Sequence, residues 1–418
     1  MRWKCMVSLI VLGSFSAYYI YEPIPEDIDE KWKLMLTNSL FRGLSHLADF
    51  SELLGLKDYM GVMYFITLAE RVVPLSDERV LVTEERFDGV EVVLYQPRPQ
   101  HGRRSPSPAT DLLRAVVYLH GGGWCLGSSR MSPYDMLART LVTDLHAVVL
   151  SVEYRLAPEH RFPVPYEDVY RVVKHFLQEE VLAHYSVDPG RIAVSGDSAG
   201  GNLAAAVAQQ LQQDPEQRVQ LKVQALLYPV LQALDLNTPS YQQNRDMPLL
   251  PRTLMVRFWS EYFTGDKALF RAMMSNTHNG PESAQLLQFV DWSAYLPASY
   301  RAKYNYSRPA VGGGGGGLSR GVEGAVAVPD GTASRAIGDP RASPLLVPDA
   351  TLRSLPTAYV LTCEYDVLRD DGVMYARRLR DAGVAVTHEH YRGGFHGALM
   401  FTVWPTDFQI ARRMTDNY

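Results

Sequence analysis

Short apolar runs alternate with helix-length segments through most of the chain, and this rhythm most constrains the fold. The runs are Ala115 to Leu119, Ala147 to Val152, Ile192 to Ser195, Val223 to Tyr228, Ala358 to Thr362 and Val384 to Tyr391. Before them, Val80 to Thr83 and Val90 to Tyr95 alternate like a β-hairpin around the turn residues Asp88 and Gly89. Continuously apolar strands separated by helices argue for an α/β protein, with a mainly parallel sheet covered by helices on both faces. We read residues 76–230 as the first part of this core and 353–418 as its last part. Between them, over 231–352, the rhythm lapses into aromatic and polar helical stretches such as Leu254 to Phe263, which read as an inserted cap. Within the insert, Gly312 to Gly317 and the small residues to about Ala336 are expected to form a disordered surface loop, because they bury too little to offset their ordering entropy. Residues 22–75 carry a helical pattern through Trp32, Leu34, Leu36, Leu40, Leu44, Leu47, Leu53, Leu54 and Leu56, and read as an N-terminal helical cap segment.

The N-terminus has a different character. Arg2 and Lys4, in a short segment 1–5, precede the charge-free stretch Met6 to Tyr21. As a helix it reaches ~24 Å, short of the ~30 Å hydrocarbon core, with Trp3 and the tyrosines 18, 19 and 21 suited to the two interfaces. We expect a signal-anchor, best matched to the thinner endoplasmic reticulum bilayer. A cleaved signal peptide ending near Ser14 and Ser16 is the rival reading. Basic residues before the segment, and Glu22, Glu26, Asp27, Asp29 and Glu30 after it, place residues 1–5 in the cytosol and the body in the lumen. The net charge of -5 and the lack of any long basic block exclude a nucleic-acid partner. Of three cysteines, Cys5 belongs with the N-terminal membrane segment, just before its apolar stretch; Cys125 and Cys363 could be bridged or remain two buried thiols.

Chemistry is signalled first by Gly196-Asp197-Ser198-Ala199-Gly200, placed after the apolar run Ile192 to Ser195 and before the helix-forming Asn202 to Gln213. Strand, sharp turn and helix form the setting in which such a serine becomes a nucleophile. Outside that setting the pattern would be an ordinary Gly-rich turn. Next is His120-Gly121-Gly122-Gly123-Trp124, directly after another apolar run. Its bare backbone amides suit an oxyanion hole, to which we assign Gly121 and Gly122 together with the amide of Ala199; His120 is read as a residue that orients this loop. In the chain order serine, acid, histidine, Asp366 and His396 follow the last two apolar runs and complete a triad. Glu364, Asp370 and Asp371 are rival acids, the latter two placed to open a helix; His388 and His390 lie within a strand. No cluster has metal-ligand spacing, and neither metal nor cofactor is expected.

These residues carry a resemblance. HGGGW at 120–124, YRLAPE at 154–159, GDSAGGNLAAAV at 196–207, EYDVLRDDG at 364–372 and GFHG at 394–397 resemble the arylacetamide deacetylase family, within the hormone-sensitive-lipase-like group of α/β-hydrolases. The similarity runs from AYYIY at 17–21 to about Phe401. It implies an α/β-hydrolase fold, the triad and oxyanion hole named above, a type II endoplasmic reticulum protein and a Cys125–Cys363 bridge. It also implies hydrolysis of short-acyl esters and arylamides of lipophilic substrates, with neutral cholesteryl-ester or acylglycerol hydrolysis as the alternative. A non-catalytic receptor on this fold would be expected to have lost part of the triad. Asn305-Tyr306-Ser307 is a glycosylation sequon that a lumenal body would expose. Two features depart from the family: the Gly-rich stretch, and an end at Tyr418 that falls short of the usual last helix.

Overall fold

The computed structural model describes residues 2–98, 112–311, 331–403 and 406–418. Every apolar run singled out above becomes a strand. The hairpin is β1 (Val80–Phe87) and β2 (Val90–Pro97), followed by β3 (Leu113–Leu119), β4 (Ala147–Glu153), β5 (Val187–Asp197), β6 (Val223–Leu227), β7 (Thr357–Tyr365) and β8 (Val386–Phe395). They form one eight-stranded sheet ordered β1-β2-β4-β3-β5-β6-β7-β8. The β1–β2 and β2–β4 pairs are antiparallel and all others are parallel. The sheet is buried on both faces, as its period-two side chains show: Val92 and Leu94 enter one core, Val93 and Tyr95 the other. At ~1.5–3 kcal/mol for each fully buried aliphatic side chain, these two cores are the main source of stability.

Helices cover both faces. α4 (Ser132–Leu145) packs in the second core, whereas α5 (Val164–Phe176), α6 (Glu179–His184) and α7 (Ala199–Gln213) pack in the first. The small residues Ala204, Ala205 and Ala208 let α7 lie close on the sheet. Between β6 and β7 come α8 (Pro239–Gln243), α9 (Arg252–Phe263) and α10 (Lys267–Met274), followed by shorter turns. The expected disordered loop lies largely outside the described residues. Its last part, however, is a helix, Gly331–Ile337, because Ala333 and Ile337 find buried positions against the core.

At the N-terminus, α1 (Arg2–Ile20) precedes α2 (Lys31–Leu53) and α3 (Tyr59–Thr67). The helical pattern ends at Glu70, short of Leu75. The expected spanning segment is a 19-residue helix, yet among the described residues no helix is long and apolar enough to cross a membrane. Arg257 of α9 ties α2 down, pairing with Asp49 at 3.1 Å and with Glu52 while lying 3.7 Å over the ring of Tyr59. The bridge implied for Cys125 and Cys363 is absent: both are buried free thiols, Cys125 in the core on one face of the sheet and Cys363 in the core on the other.

Candidate active site

The strand register assembles the site. Leu119 pairs with Gly196, Asp197 with Leu227, Leu227 with Leu361, and Tyr365 with Phe395. β3, β5 and β6 therefore end nearly level, β7 and β8 end together beyond them, and the first residue after each is His120, Ser198, Tyr228, Asp366 or His396. Ser198 lies at φ 55°, ψ -117°, a backbone strained for a residue with a side chain, between β5 and the N-terminus of α7. The turn closes because residues 196 and 200 lack Cβ atoms: one at 196 would strike the Gly200 carbonyl, and one at 200 the Leu119 carbonyl.

His396 Nε2 lies 3.0 Å from Ser198 Oγ, and Nδ1 lies 2.7 Å from Asp366 Oδ2. The other oxygen of Asp366 accepts the Leu368 amide at 2.8 Å, which fixes the carboxylate plane. Ser198 and His396 are each 8% exposed and Asp366 1%, so the relay is screened from water but open at the nucleophile. The rival acids are engaged elsewhere. Glu364 meets His390 at 2.9 Å and Arg369 at 3.1 Å, Asp370 accepts the Ser240 amide at 2.7 Å, and Asp371 accepts the Leu231 amide at 3.0 Å. His388 and His390 stay on β8, on either side of Thr362 Oγ1. Among the described residues no three His, Cys, Asp or Glu side chains converge as a metal site.

The glycine loop departs from the expected donor set. The Gly121 amide donates to Asp197 Oδ1 and to the Tyr134 hydroxyl, both at 2.9 Å, so it is not free for a substrate. Among the described residues the amides of Gly122, Gly123 and Ala199 have no protein acceptor. Asp197 also accepts the hydroxyls of Tyr118 at 3.1 Å and Tyr134 at 3.3 Å. Burial pushes its carboxyl up to about 6, against these hydrogen bonds and the nearby His396, which favour its charge. His120 lies stacked on Tyr154 with ring centroids 4.3 Å apart, while Tyr154 donates to the His120 carbonyl at 2.6 Å. Trp124 stacks on Tyr262 at 4.2 Å, joining the loop to α9. Sequence reasoning missed two further neighbours. Tyr228 sets its ring edge-on to His396 at 4.9 Å, and Asn244 donates to the carbonyls of Asp366 at 2.9 Å and Glu364 at 3.1 Å. Tyr228 was visible as the end of an apolar run; nothing in the sequence marks Asn244.

A family model described as the alpha/beta hydrolase fold matches residues 116–290 and 326–400. The chain belongs to the α/β-hydrolase family. Among its relatives, the arylacetamide deacetylase of Oryctolagus cuniculus is 47% identical over 97% of each chain. Neutral cholesterol ester hydrolase 1 of Bos taurus is 44% identical over 100% of this chain and 98% of its own. A thermostable esterase from Pseudomonas putida superposes with a TM-score of 0.62 at 24% identity, covering 94% of this chain and 96% of that one, and supports the fold alone. An esterase from Pyrobaculum calidifontis gives a TM-score of 0.56 at 27% identity, covering 86% and 88%. As an α/β-hydrolase with these relatives, the chain is a serine-hydrolase-type carboxylic ester hydrolase.

Proposed function

We propose that Ser198, His396 and Asp366 hydrolyse short-acyl esters and arylamides of lipophilic groups through an acyl-enzyme. The observation that carries this reading is the unbroken relay of 3.0 Å and 2.7 Å from Ser198 through His396 to Asp366. His396 takes the Ser198 proton as Oγ attacks the carbonyl, and Asp366 holds the resulting imidazolium. The amides of Gly122, Gly123 and Ala199 receive the oxyanion, with Gly121 giving its donor to the loop's own support. His396 then protonates the leaving alcohol or amine, and water, activated in turn by His396, releases the acid. An active-site phosphonate should label the parent chain at one serine and leave Ser198→Ala unlabelled. Full labelling of Ser198→Ala would overturn the assignment.

The short-acyl preference rests on the likeness to arylacetamide deacetylases, whereas the cholesterol ester hydrolases favour the lipid-ester reading. Matched acetyl and long-chain esters of one bulky alcohol separate the two. A preference for the long chain of tenfold or more in kcat/KM, about 1.4 kcal/mol, overturns the short-acyl reading. The helices between β6 and β7, with α2 and α3, form the cap over this site, and the aromatic residues of α9 supply an apolar wall.

The charge-free run Met6 to Tyr21 supports α1 as a membrane anchor, with Trp3, Tyr18 and Tyr21 at the interfaces compensating its short apolar length. The body then lies in the endoplasmic reticulum lumen, where Asn305, exposed in a loop, is available for glycosylation. Endoglycosidase-sensitive modification lost in Asn305→Gln supports this topology. Digestion of the body by protease added to sealed microsomes refutes it.

A further inference from the structure

Large apolar side chains exposed to solvent are concentrated in one part of the molecule. Among the described residues all but three of them, Leu81, Leu112 and Met136, lie between Trp3 and Leu75. On α2 they form a stripe. Trp32, Leu36, Leu40, Leu47, Phe50 and then Leu54 recur three, four or seven residues apart and so share one side of the helix. Gly43, also exposed, fills the remaining place, and no charged residue occupies this side. The opposite side of α2 holds Leu34, Met35, Asn38 and Ala48 against the body. The helix thus has two apolar sides, of which the body covers one. Trp32 is 67% exposed, Leu40 63% and Phe50 56%.

From this we propose that the outer side of α2 is a second membrane-docking surface that rests in the bilayer interface beside α1. The proposal rests on α1 being the membrane anchor. Continuity with that helix identifies the occupant. The last turns of α1 lie along α2, with Tyr19 beside Arg42 and His46, and an apolar cleft between the helices is lined by Ala17, Tyr21, Trp32 and Leu36. A bilayer that receives α1 therefore meets α2 with no further surface in between. The stripe also has the composition of an interfacial helix, with aromatic and aliphatic side chains on one side and charges on the others. Such a surface adds apolar burial to an anchor whose own apolar length is short. It also bears on access to the site, because Arg257 clamps α2 to α9, and Phe258 of α9 packs on Gly123 of the glycine loop.

The test uses the full chain in a Cys5→Ser background, reconstituted in phosphatidylcholine vesicles with and without brominated acyl chains. An environment-sensitive fluorophore is placed at Leu47→Cys in one sample and at Phe15→Cys in the other. The proposal expects blue-shifted emission at 47 that brominated lipid quenches. Quenching at 15 without quenching at 47 overturns the docking surface and leaves the anchor standing. Quenching at 47 alone keeps the surface and refutes the anchor. A blue shift at 47 without quenching, in a dimer caught by crosslinking, assigns the stripe to a second copy and overturns the proposal. As a functional counterpart, Leu36→Glu/Leu40→Glu/Leu47→Glu/Phe50→Glu should lose about tenfold or more in kcat/KM on a vesicle-embedded ester while staying within about twofold of the parent on a water-soluble acetate ester. Equal loss on both substrates counts against the proposal.

Discussion

Substituting Gly123 by alanine tests the glycine loop where it meets the overlying helices. The new Cβ would come within 2.6 Å of three carbons of the Phe258 ring, whereas carbon atoms settle at about 3.5–4.0 Å. Phe258 is itself only 6% exposed and packed among its neighbours, so the loop must give way. The backbone at 123 lies at φ +61°, which adds roughly 1–2 kcal/mol for any residue with a side chain. Overpacking of this kind costs about 1–3 kcal/mol in stability. A loop pushed off its seat withdraws one or more oxyanion donors, each worth roughly 2.7–4 kcal/mol of barrier, so kcat should fall about 10²–10³-fold. Steady-state kinetics on a short ester, with thermal melting alongside, reads both effects. Phe258→Ala in the same chain removes the obstruction and should restore most of kcat, leaving the backbone strain as a residual loss of stability. A Gly123→Ala enzyme within threefold of the parent kcat, or a double variant no faster than the single one, would refute the steric role of Gly123.

Other outcomes follow from the same site. His396→Ala and Ser198→Ala should each abolish turnover about as fully as their combination, and Asp366→Asn should cost ~10⁴ in kcat, in chains whose melting shows them folded. Asn244→Ala strips a buried donor from the Asp366 carbonyl; stability should drop by about 1–3 kcal/mol and kcat by about tenfold or more, with KM nearly unchanged. Asp197 gives a pH signature. Its folded pKa of about 6 lies above the ordinary carboxylate value, so the folded state holds the proton more tightly and loses stability as pH rises from about 4 to about 6, by roughly 3 kcal/mol in all. Asp371 and Asp235, also raised by burial, slope the same way, so the informative quantity is the melting difference between Asp197→Asn and the parent. That difference should grow in favour of the variant across pH 4 to 6 and then level off; a flat difference would refute the assignment.

Much of this was legible before any coordinates. Alternation marked the β1–β2 hairpin and apolar runs marked the six strands after it, whereas Ser198, Asp366 and His396 were read from their motifs and their order along the chain. Strand limits were less readable: the apolar run starts at Ile192, whereas β5 begins at Val187, which pairs with Leu113 across an irregularity in the ladder. The donor set of the glycine loop was misread at Gly121, since its amide direction depends on Asp197 and Tyr134, brought there by tertiary packing. Asn244 was invisible for the same reason, lying in a polar stretch whose partner is the distant Asp366 carbonyl. Cysteine spacing could not show that Cys125 and Cys363 belong to opposite faces. The outer side of α2 was read simply as amphipathic helix, because periodicity reports that a side is apolar without reporting whether anything covers it.

The assembly of the site from the ends of separate strands has a consequence for how the enzyme comes into being. Ser198 and His396 are 198 residues apart in the chain and meet only when β5 and β8 hold their places in one sheet. No local segment contains a working subset of the site, so activity during refolding should appear late and in a single step with closure of the sheet, trailing the helical signal. Such non-local pairing is slow to form and exposes unpaired edges while it does. Recovered activity is accordingly a direct count of completed sheets, and its yield on dilution from denaturant should fall with protein concentration even where secondary structure returns in full.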